Sequence, residues 1–433
     1  MTKRISPLAS ATRERLRQRV EAIQDAASIS PSEVVAAELK STDFSTLPGY
    51  DELRFYRSLG QKFGIENPYF RTHDGRAGSH TQIAGKALLN FSSYDYLGLN
   101  GHPEIVAAAK AAIDLYGVSA SASRHVAGER PVHHALEQAL AQHYGVADSL
   151  VFVSGYATNL GVIGHLMGPK DLVIYDSLSH NSIVMGGVLS GAGRRSFPHN
   201  DLDSLDRMLT LSRGHFERAL IVVEGLYSMD GDYPDLRRLI EIKSKHNAWL
   251  MVDEAHATGL YGKSRRGLAE ENDVASHIEI QMGTLGKAFG AAGGYICGSR
   301  PLIDCLINRA RPFIFTTAPA PAVAAAAAAG VRFVQSAAGE QRRNQLWANV
   351  TQISRHIESK GSAIIPILIG DEEKAMKMAA ALREQAIFVP AIRFPTVARG
   401  QARLRLTVTA AHSRDDMDQL LAALRFVNLA SRS

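Results

Sequence analysis

The sequence predicts an α/β protein built on a mostly parallel sheet with helices on both faces, followed by a smaller C-terminal α+β domain. Three observations support this fold class. Short β-branched and apolar runs, typical of buried strands, occur at 149–155, 171–176, 218–225 and 248–255. Helical patterns separate these runs, as at 133–145 and 235–247. Gly, Asp or Glu follows the apolar part of each run, at the strand end where such sheets bind ligands.

The domain boundaries follow from changes in this pattern. A helical pattern at 11–27 is followed by breaks containing Pro and Gly, so residues 1–87 are expected to form an N-terminal arm of helix and short strands. The large α/β domain is predicted over 88–318. Residues 319–433 begin with an alanine-rich helix and continue with the runs SAIIPILIG, FVPAIRF and ARLRLTVT and a last helix. This order predicts the smaller α+β domain.

Composition excludes several classes of protein. With 45% hydrophobic and 21% charged residues in 433, the chain can bury a large core. The net charge of +5 is spread along the chain, which gives no nucleic-acid footprint but suits an anionic substrate. Two cysteines, Cys297 and Cys305, are too few for a disulfide framework and indicate a cytoplasmic protein. The most apolar stretch, 319–334, is short and rich in alanine, so no transmembrane segment is expected.

One lysine, Lys287, lies in the glycine-rich stretch QMGTLGKAFGAAGGY at 281–295. A phosphate-binding P-loop would follow its lysine with Ser or Thr, but Ala288 stands there. Small neighbours allow a flat group to approach the amine, and a desolvated lysine becomes a nucleophile or base. On its own the stretch is more typical of a solvated loop lysine, so only partners elsewhere in the chain can favour the reactive amine.

Polar residues at the ends of neighbouring strands provide partners for this lysine. Asp253 ends one strand and His256 follows three positions later. A buried carboxylate there requires a cationic partner, such as a protonated ring nitrogen. Ser154, Gly155 and Tyr156 end another strand and open a helix, whose N–H groups form an anion site.

Two further residues follow strands in the same way, His180 in DSLSHNS and Ser228 in EGLYSMDGD. Taken singly, His180 and His256 are more typical of loop or core histidines whose rings bond to the backbone. A ligand with a phosphate, a protonatable aromatic nitrogen and an aldehyde for Lys287 is pyridoxal phosphate (PLP), and the set predicts this cofactor. No His, Cys, Asp or Glu cluster has metal-ligand spacing, so no metal is expected.

Eight motifs in order make the chain similar to a known family, the α-oxoamine synthases among the fold-type-I PLP-dependent transferases. The likeness runs from about residue 88 to 426, through NFSSYDYLGL, SASRHVAGERPVHHALE, FVSGYATN, DSLSHNS, EGLYSMDGD, MVDEAHATG, GTLGKAFG and RLRLTVTAAH. The resemblance implies the PLP-dependent fold type I and a C-acyltransferase that condenses an amino acid with an acyl thioester, releasing carbon dioxide and an α-amino ketone.

The resemblance also implies roles for the residues around the cofactor. Lys287 would bind the cofactor aldehyde and later move the Cα proton, and Asp253 would keep the pyridine nitrogen protonated. His180 would stack on the ring and reach toward the amino-acid carboxylate. His256 and Ser228 would lie by the phenolic oxygen.

The phosphate would take the backbone amides of Gly155 and Tyr156 and the hydroxyl of Thr284. It would also take Thr316 or Thr317 from the neighbouring subunit, because the family completes its sites across a homodimer. The thioester partner would be acyl-CoA or an acyl carrier protein.

The substrate residues implied by the family are Arg393, Thr396 and Arg405, together with Tyr94, which stands where several members carry Asn. From the strand pattern alone, Arg405 is more typical of a strand arginine that pairs with a surface acid. The motifs favour the serine palmitoyltransferase branch, with serine as substrate, and the alternative is the 8-amino-7-oxononanoate synthase branch, with alanine and a pimeloyl thioester. An aminotransferase or lyase on the same fold is a more remote alternative.

Overall fold

The computed structural model describes residues 41–62 and 70–430 of the chain. The contacts between residues divide the polypeptide into two compact units, Met1–Arg71 and Thr72–Ser433. In the first unit, a short 3-10 turn at Phe44–Thr46 precedes helix α1 (Tyr50–Lys62), whose first turn carries two acidic residues that favour a helix N-terminus. The predicted helix at 11–27 lies outside the described residues.

The second unit contains all the strands of the described chain. They are β1 (His80–Ile83), β2 (Lys86–Asn90), β3 (Asp148–Phe152), β4 (Leu172–Asp176), β5 (Gly193–Phe197), β6 (Ala219–Glu224), β7 (Trp249–Asp253), β8 (Ile280–Thr284), β9 (Gly294–Gly298), β10 (Ile364–Gly370), β11 (Ile387–Phe388), β12 (Ala391–Ile392) and β13 (Ala402–Thr407).

The central sheet has seven strands in the order β3-β9-β8-β7-β6-β4-β5. All neighbouring pairs are parallel except those of β9, which is antiparallel to both β3 and β8. The predicted α/β class with a mostly parallel sheet is therefore confirmed. The runs at 149–155, 171–176, 218–225 and 248–255 became β3, β4, β6 and β7.

The helices that follow α1 are α2 (Pro103–Tyr116), α3 (Pro131–Tyr144), α4 (Gly155–Leu166), α5 (Asn181–Ser190), α6 (Leu202–Ser212), α7 (Leu236–Lys245), α8 (Leu268–Glu271), α9 (Arg300–Arg309), α10 (Arg311–Ile314), α11 (Pro321–Gln335), α12 (Ala337–Ser354), α13 (Glu372–Glu384) and α14 (Arg414–Ala430). Helices cover both faces of the central sheet. In β6, Leu220 and Val222 join one buried cluster, whereas Ile221 and Val223 join a second cluster on the opposite face.

Two small sheets accompany the central sheet. The sheet β10-β13-β12 comes from the C-terminal part, whereas in β1-β2-β11 only β11 does, because β1 and β2 precede the central sheet in sequence. The alanine-rich helix α11 packs against α2 and α3, and its small side chains allow this close approach. The predicted boundary between 318 and 319 lies inside the second compact unit and stays a prediction. Within the described residues, no single helix could span a membrane; the pair α11 and α12, bent by 76°, passes a test of length and composition only.

Candidate active site

Three adjacent strands bring polar residues to the carboxyl edge of the central sheet. Glu224 ends β6, Asp253 ends β7 and Thr284 ends β8. Glu224 and Asp253 are directly opposite each other in the parallel register, and Asp253 lies opposite Met282. The sheet thus places two buried carboxyl groups side by side, next to the loop that carries Lys287.

Asp253 is only 5% exposed and receives hydrogen bonds from neutral donors. Its Oδ2 accepts from Asn159 Nδ2 at 2.9 Å, and its Oδ1 accepts from the Ala255 N–H at 3.0 Å. Within the described chain, no cationic side chain forms an ion pair with it. Because burying a carboxylate without a cation is costly, this site fits the protonated pyridine nitrogen of a cofactor.

Lys287 lies in the turn between β8 and β9, partly buried. Burial lowers the pKa of its ammonium group from 10.5 to about 8, with a smaller lowering from the charge of Arg405. Asp253 and Glu224 act in the opposite direction but do not cancel the desolvation. An amine with this pKa is partly neutral at physiological pH, which suits it to react with an aldehyde and to accept a proton.

His180 is the N-cap residue of α5, and its ring is held by contacts from several elements. Its Nδ1 lies 2.7 Å from Ser182 Oγ, and its backbone N–H donates to Glu224 Oε1 at 2.6 Å. The Tyr156 ring meets the His180 ring edge to face, with centroids 6.3 Å apart. Burial and then the charge of Lys287 lower the pKa of His180, which favours the neutral imidazole.

His256 is buried and pairs with a tyrosine that no local sequence pattern identifies. Its Nδ1 lies 2.6 Å from the hydroxyl of Tyr96. Burial first, then the charges of Lys287 and Arg405, hold the pKa of His256 well below 6.5. Burial also raises the pKa of Tyr96 to about 12, so Tyr96 keeps its phenolic proton beside a neutral His256.

The N-terminus of α4 is the place where the sequence predicts an anion site. Ser154 Oγ accepts from the Ala157 N–H, whereas the N–H groups of Gly155 and Tyr156 have no acceptor within the described chain. A Cβ on Gly155 would lie 3.3 Å from Met282 Cε, so glycine lets the backbone approach β8 closely. Two free N–H groups at a helix start form a cradle that fits a phosphate.

Thr284 lies beside this cradle, since a Cβ on Gly155 would be 3.6 Å from its side chain. Its hydroxyl donates to the Gly293 carbonyl at 2.9 Å and accepts from the Gly286 N–H at 3.3 Å. The hydroxyl hydrogen of Thr284 therefore points at the Gly293 carbonyl.

Arg405 is buried at 6% exposure and contacts the segment that carries Ser228. Its Nε donates to the Ser228 carbonyl at 2.6 Å, and its Nη1 donates to Thr407 Oγ1 at 2.8 Å. The neighbouring Arg403 pairs with Asp230 at 2.7 Å. Arg405 is thus an interior residue of the site and not a surface arginine paired with an acid.

Four predicted residues lie in exposed or partly exposed positions away from these contacts. Tyr94 is 51% exposed and Thr396 is exposed. Within the described chain, neither Thr316 nor Thr317 forms a hydrogen bond to the cluster. Their expected contribution from a neighbouring subunit stays a prediction, and so does the role of Arg393, which is partly buried.

Sequence reasoning missed four residues that contact the predicted ones: Asn159, Ser182, Glu224 and Tyr96. Only Glu224 had a usable signal, because it ends a buried strand as Asp253 does. The others act through hydrogen bonds between distant elements. Among the described residues, no group of three His, Cys, Asp or Glu side chains could hold a metal ion.

Comparisons with known proteins agree with this geometry. The family model for aminotransferase class I and II matches residues 86–424. The chain is 43% identical over 361 residues to 8-amino-7-oxononanoate synthase of Geobacter sulfurreducens, covering 82% of this chain and 92% of that protein. It is 44% identical over 357 residues to the same enzyme of Anaeromyxobacter dehalogenans, covering 81% of this chain and 89% of that protein.

Solved structures are similar as well. Sphingomonas wittichii serine palmitoyltransferase matches with a TM-score of 0.85 and 32% identity, over 90% of this chain and 98% of that one. A serine palmitoyltransferase structure containing a PLP internal aldimine matches with a TM-score of 0.84 and 30% identity, over 89% and 100%. The structure of 8-amino-7-oxononanoate synthase from Francisella tularensis matches with a TM-score of 0.68 and 26% identity, over 80% of this chain and 98% of that one.

Proposed function

Because this chain belongs to the aminotransferase class I and II family, and within it to the α-oxoamine synthases, we propose that it is an 8-amino-7-oxononanoate synthase. The chain is a PLP-dependent acyltransferase of that family. The observation that supports the finer assignment is 43% identity over 361 residues, spanning 92% of a relative with that name. The expected serine palmitoyltransferase-like activity is the second candidate. It has the support of the 0.85 TM-score, but at 32% identity it is less well supported than its alternative.

The product's name defines the two substrates. Carbons 8 and 9 with the amino group correspond to alanine after loss of its carboxylate. Carbons 1 to 7 correspond to a seven-carbon dicarboxylic acyl group, pimeloyl. A new carbon–carbon bond forms between the alanine Cα and the acyl carbon. The acyl carbon–sulfur bond and the Cα–carboxylate bond break, and the second of these releases carbon dioxide. The Cα–H bond breaks and is later re-formed, and the leaving sulfur takes up one proton from solvent to become the thiol.

The residues present fit PLP, which supplies an electron sink that stabilises negative charge at Cα when bound. Lys287 would hold its aldehyde carbon through Nζ. Asp253 Oδ2 would face the ring nitrogen and keep its proton in place. Ser228 and His256 would lie at the phenolic oxygen, and the cradle of Gly155 would bind the phosphate together with Tyr156 and Thr284.

Lys287 is the base in the proposed reaction. Its pKa of about 8 allows the free amine to take the Cα proton near neutral pH and to return a proton later. The buried His256, held neutral by desolvation, adds no competing positive charge beside Lys287. Arg405 would supply the cation for the substrate carboxylate, with Arg393, Thr396 and Tyr94 at the exposed side.

We also propose a homodimer with shared sites in the cytoplasm. Thr316 and Thr317 would reach the phosphate of the partner's site. Between them and the preceding helix lies Phe315, which is 79% exposed and would become buried against a second copy. The free thiols of Cys297 and Cys305 suit a reducing compartment.

A titration with single amino acids tests the substrate proposal. The purified protein with PLP is mixed with alanine, serine or glycine, and the cofactor's absorbance is followed without any thioester. We expect alanine to change the spectrum at the lowest concentration. Lys287→Ala is the control, because this variant has no amine at position 287 to bind the cofactor aldehyde. Half-saturation by serine at lower concentrations than by alanine would favour the second candidate.

A further inference from the structure

A continuous chain of hydrogen bonds joins Asp253 to His180 through two side chains that have no assigned role. Asn159, on α4, places its Nδ2 2.9 Å from Asp253 Oδ2 and 2.9 Å from Ser182 Oγ. Ser182, in the first turn of α5, places its Oγ 2.7 Å from His180 Nδ1. This chain of hydrogen bonds thus joins β7, α4 and α5 in the interior of the protein.

The donors in this chain can be assigned from chemistry. Asn159 Nδ2 carries two hydrogens and lies between a carboxylate oxygen and a hydroxyl, so it donates one to each. The reverse amide orientation would place Asn159 Oδ1 against the Asp253 carboxylate, which is repulsive. Ser182 Oγ therefore accepts from Asn159, and its own hydrogen is available for His180 Nδ1.

A second donor identifies His180 Nδ1 as an acceptor. The backbone N–H of Ser182 also points at this atom, at 3.3 Å. An N–H and an O–H directed at one ring nitrogen require its lone pair, so the ring hydrogen must lie on Nε2. This arrangement describes a neutral imidazole with one defined tautomer.

The surroundings keep the ring and its partners in place. Asn159 is 1% exposed and Ser182 is fully buried, so neither can turn to water. The His180 backbone is fixed by Glu224, and the Tyr156 ring meets its ring edge to face. Burial lowers the pKa of His180, in agreement with a neutral ring.

We propose that Asn159 and Ser182 are positioning residues that fix His180 as the Nε2–H tautomer and link its ring orientation to Asp253. The Nε2–H is then a permanent hydrogen-bond donor on the ligand side, whichever amino acid binds. Because one amide holds both Asp253 and Ser182, a shift of either site residue is transmitted to the other. The inference rests on the proposed function only for the identity of the ligand.

The test reads the tautomer directly in the full chain with bound cofactor. Protein labelled with ¹⁵N in the histidine rings is studied by two-bond ¹H–¹⁵N correlation NMR at pH 7.5, and His180→Asn identifies the His180 signals by their loss. We expect the Nε2–H pattern in the wild type and a mixture of tautomers in Ser182→Ala. Asn159→Leu should change the pattern in the same direction, because Ser182 loses the donor that orients its hydroxyl.

Ser190→Ala is the matched control, since it removes another buried hydroxyl from α5 that donates to the Gly187 carbonyl. It should leave the His180 tautomer unchanged. In Ser182→Ala we also expect KM for the amino acid to rise by about 2- to 10-fold, the effect of one hydrogen bond, with a smaller change in kcat.

An Nδ1–H or doubly protonated ring in the wild type would overturn the proposal, and this measurement needs no variant at Ser182 or Asn159. An unchanged tautomer in a folded Ser182→Ala would overturn it equally. Neither result depends on which thioester is consumed, so failure of this inference is distinguishable from failure of the proposed function.

Discussion

Replacing Glu224 by Gln tests whether the site holds a buried carboxyl group that resists ionisation. Glu224 is 3% exposed, lies opposite Asp253 in the sheet and accepts the His180 N–H through Oε1. Burial first, and then the nearby charge of Asp253, raise the pKa of Glu224 from 4.5 to about 8. Gln keeps an oxygen for the His180 N–H but cannot ionise.

The expected magnitude follows from linkage. The folded protein keeps a proton on Glu224 that the unfolded chain releases above pH 4.5, so this carboxyl group lowers the free energy of unfolding as pH rises toward 8. The slope is about 1.4 kcal/mol per pH unit in that window. Between pH 5.5 and 7.5 the upper limit is about 2.7 kcal/mol, and we expect a change of about 1–2 kcal/mol after relaxation of the site.

Urea unfolding at a fixed protein concentration measures the effect. Cofactor is removed first, because its positive ring would stabilise the carboxylates. Glu224→Gln should gain stability relative to wild type as pH rises from 5.5 to 7.5. The control, Glu373→Gln, changes an exposed carboxylate paired with Lys377 and should show no comparable gain. If the free energy of unfolding of Glu224→Gln differed from that of wild type by the same amount at pH 5.5 and at pH 7.5, the reasoning would be refuted.

Three further variants test the role of Lys287, the close packing of β9 against Gly155 and a buried ion pair outside the site. Lys287→Ala should lose about 10²–10⁴-fold or more of the condensation rate and release its cofactor on gel filtration; retained activity would contradict its role as base. Gly294→Ala should destabilise the protein by about 1–3 kcal/mol in thermal or urea unfolding, because its Cβ would lie 2.7 Å from Gly155 Cα; a neutral effect would show that β9 and α4 can separate. Arg124→Ala should destabilise by about 3–5 kcal/mol, since it leaves the buried Glu137 without the guanidinium that contacts it at 2.9 Å; a loss below about 1 kcal/mol would show that water compensates.

The strands and the four principal site residues could be predicted because their signals are local. Buried parallel strands read as continuous apolar runs, and parallel strands bring their carboxyl ends to one edge. Asp253, His256 and His180 could therefore be grouped with Lys287 although they are far apart in sequence. The structure brings these four residues close together, and their assignment to an active site stays a prediction.

The strands on either side of Lys287 could not be predicted in the same way. β8 and β9 occupy 280–284 and 294–298 within a stretch whose glycines look like a loop. Gly294 is required because β9 lies against Gly155, a contact between segments about 140 residues apart that no local pattern reveals. β5 was missed because three of its five residues are exposed and polar.

The residues that hydrogen-bond to the site residues could not be predicted for the same reason, since their contacts join segments distant in sequence. Asn159 contacts Asp253 across 94 positions, and Tyr96 contacts His256 across 160. Asparagine in a helix and tyrosine after a strand carry no sign of such partners. The motifs also did not decide between the two branches: they favoured the serine palmitoyltransferase branch, whereas the relatives give better support to the alternative, 8-amino-7-oxononanoate synthase.

The most direct measurement is product formation from matched substrate pairs. The purified protein with PLP is supplied with alanine and pimeloyl thioester, or with serine and palmitoyl thioester, and released carbon dioxide and product mass are recorded. We expect carbon dioxide and 8-amino-7-oxononanoate from the first pair, at a rate that Lys287→Ala abolishes. Thioester-dependent carbon dioxide release only from serine and palmitoyl thioester, with the matching long-chain amino ketone, would contradict the proposed function.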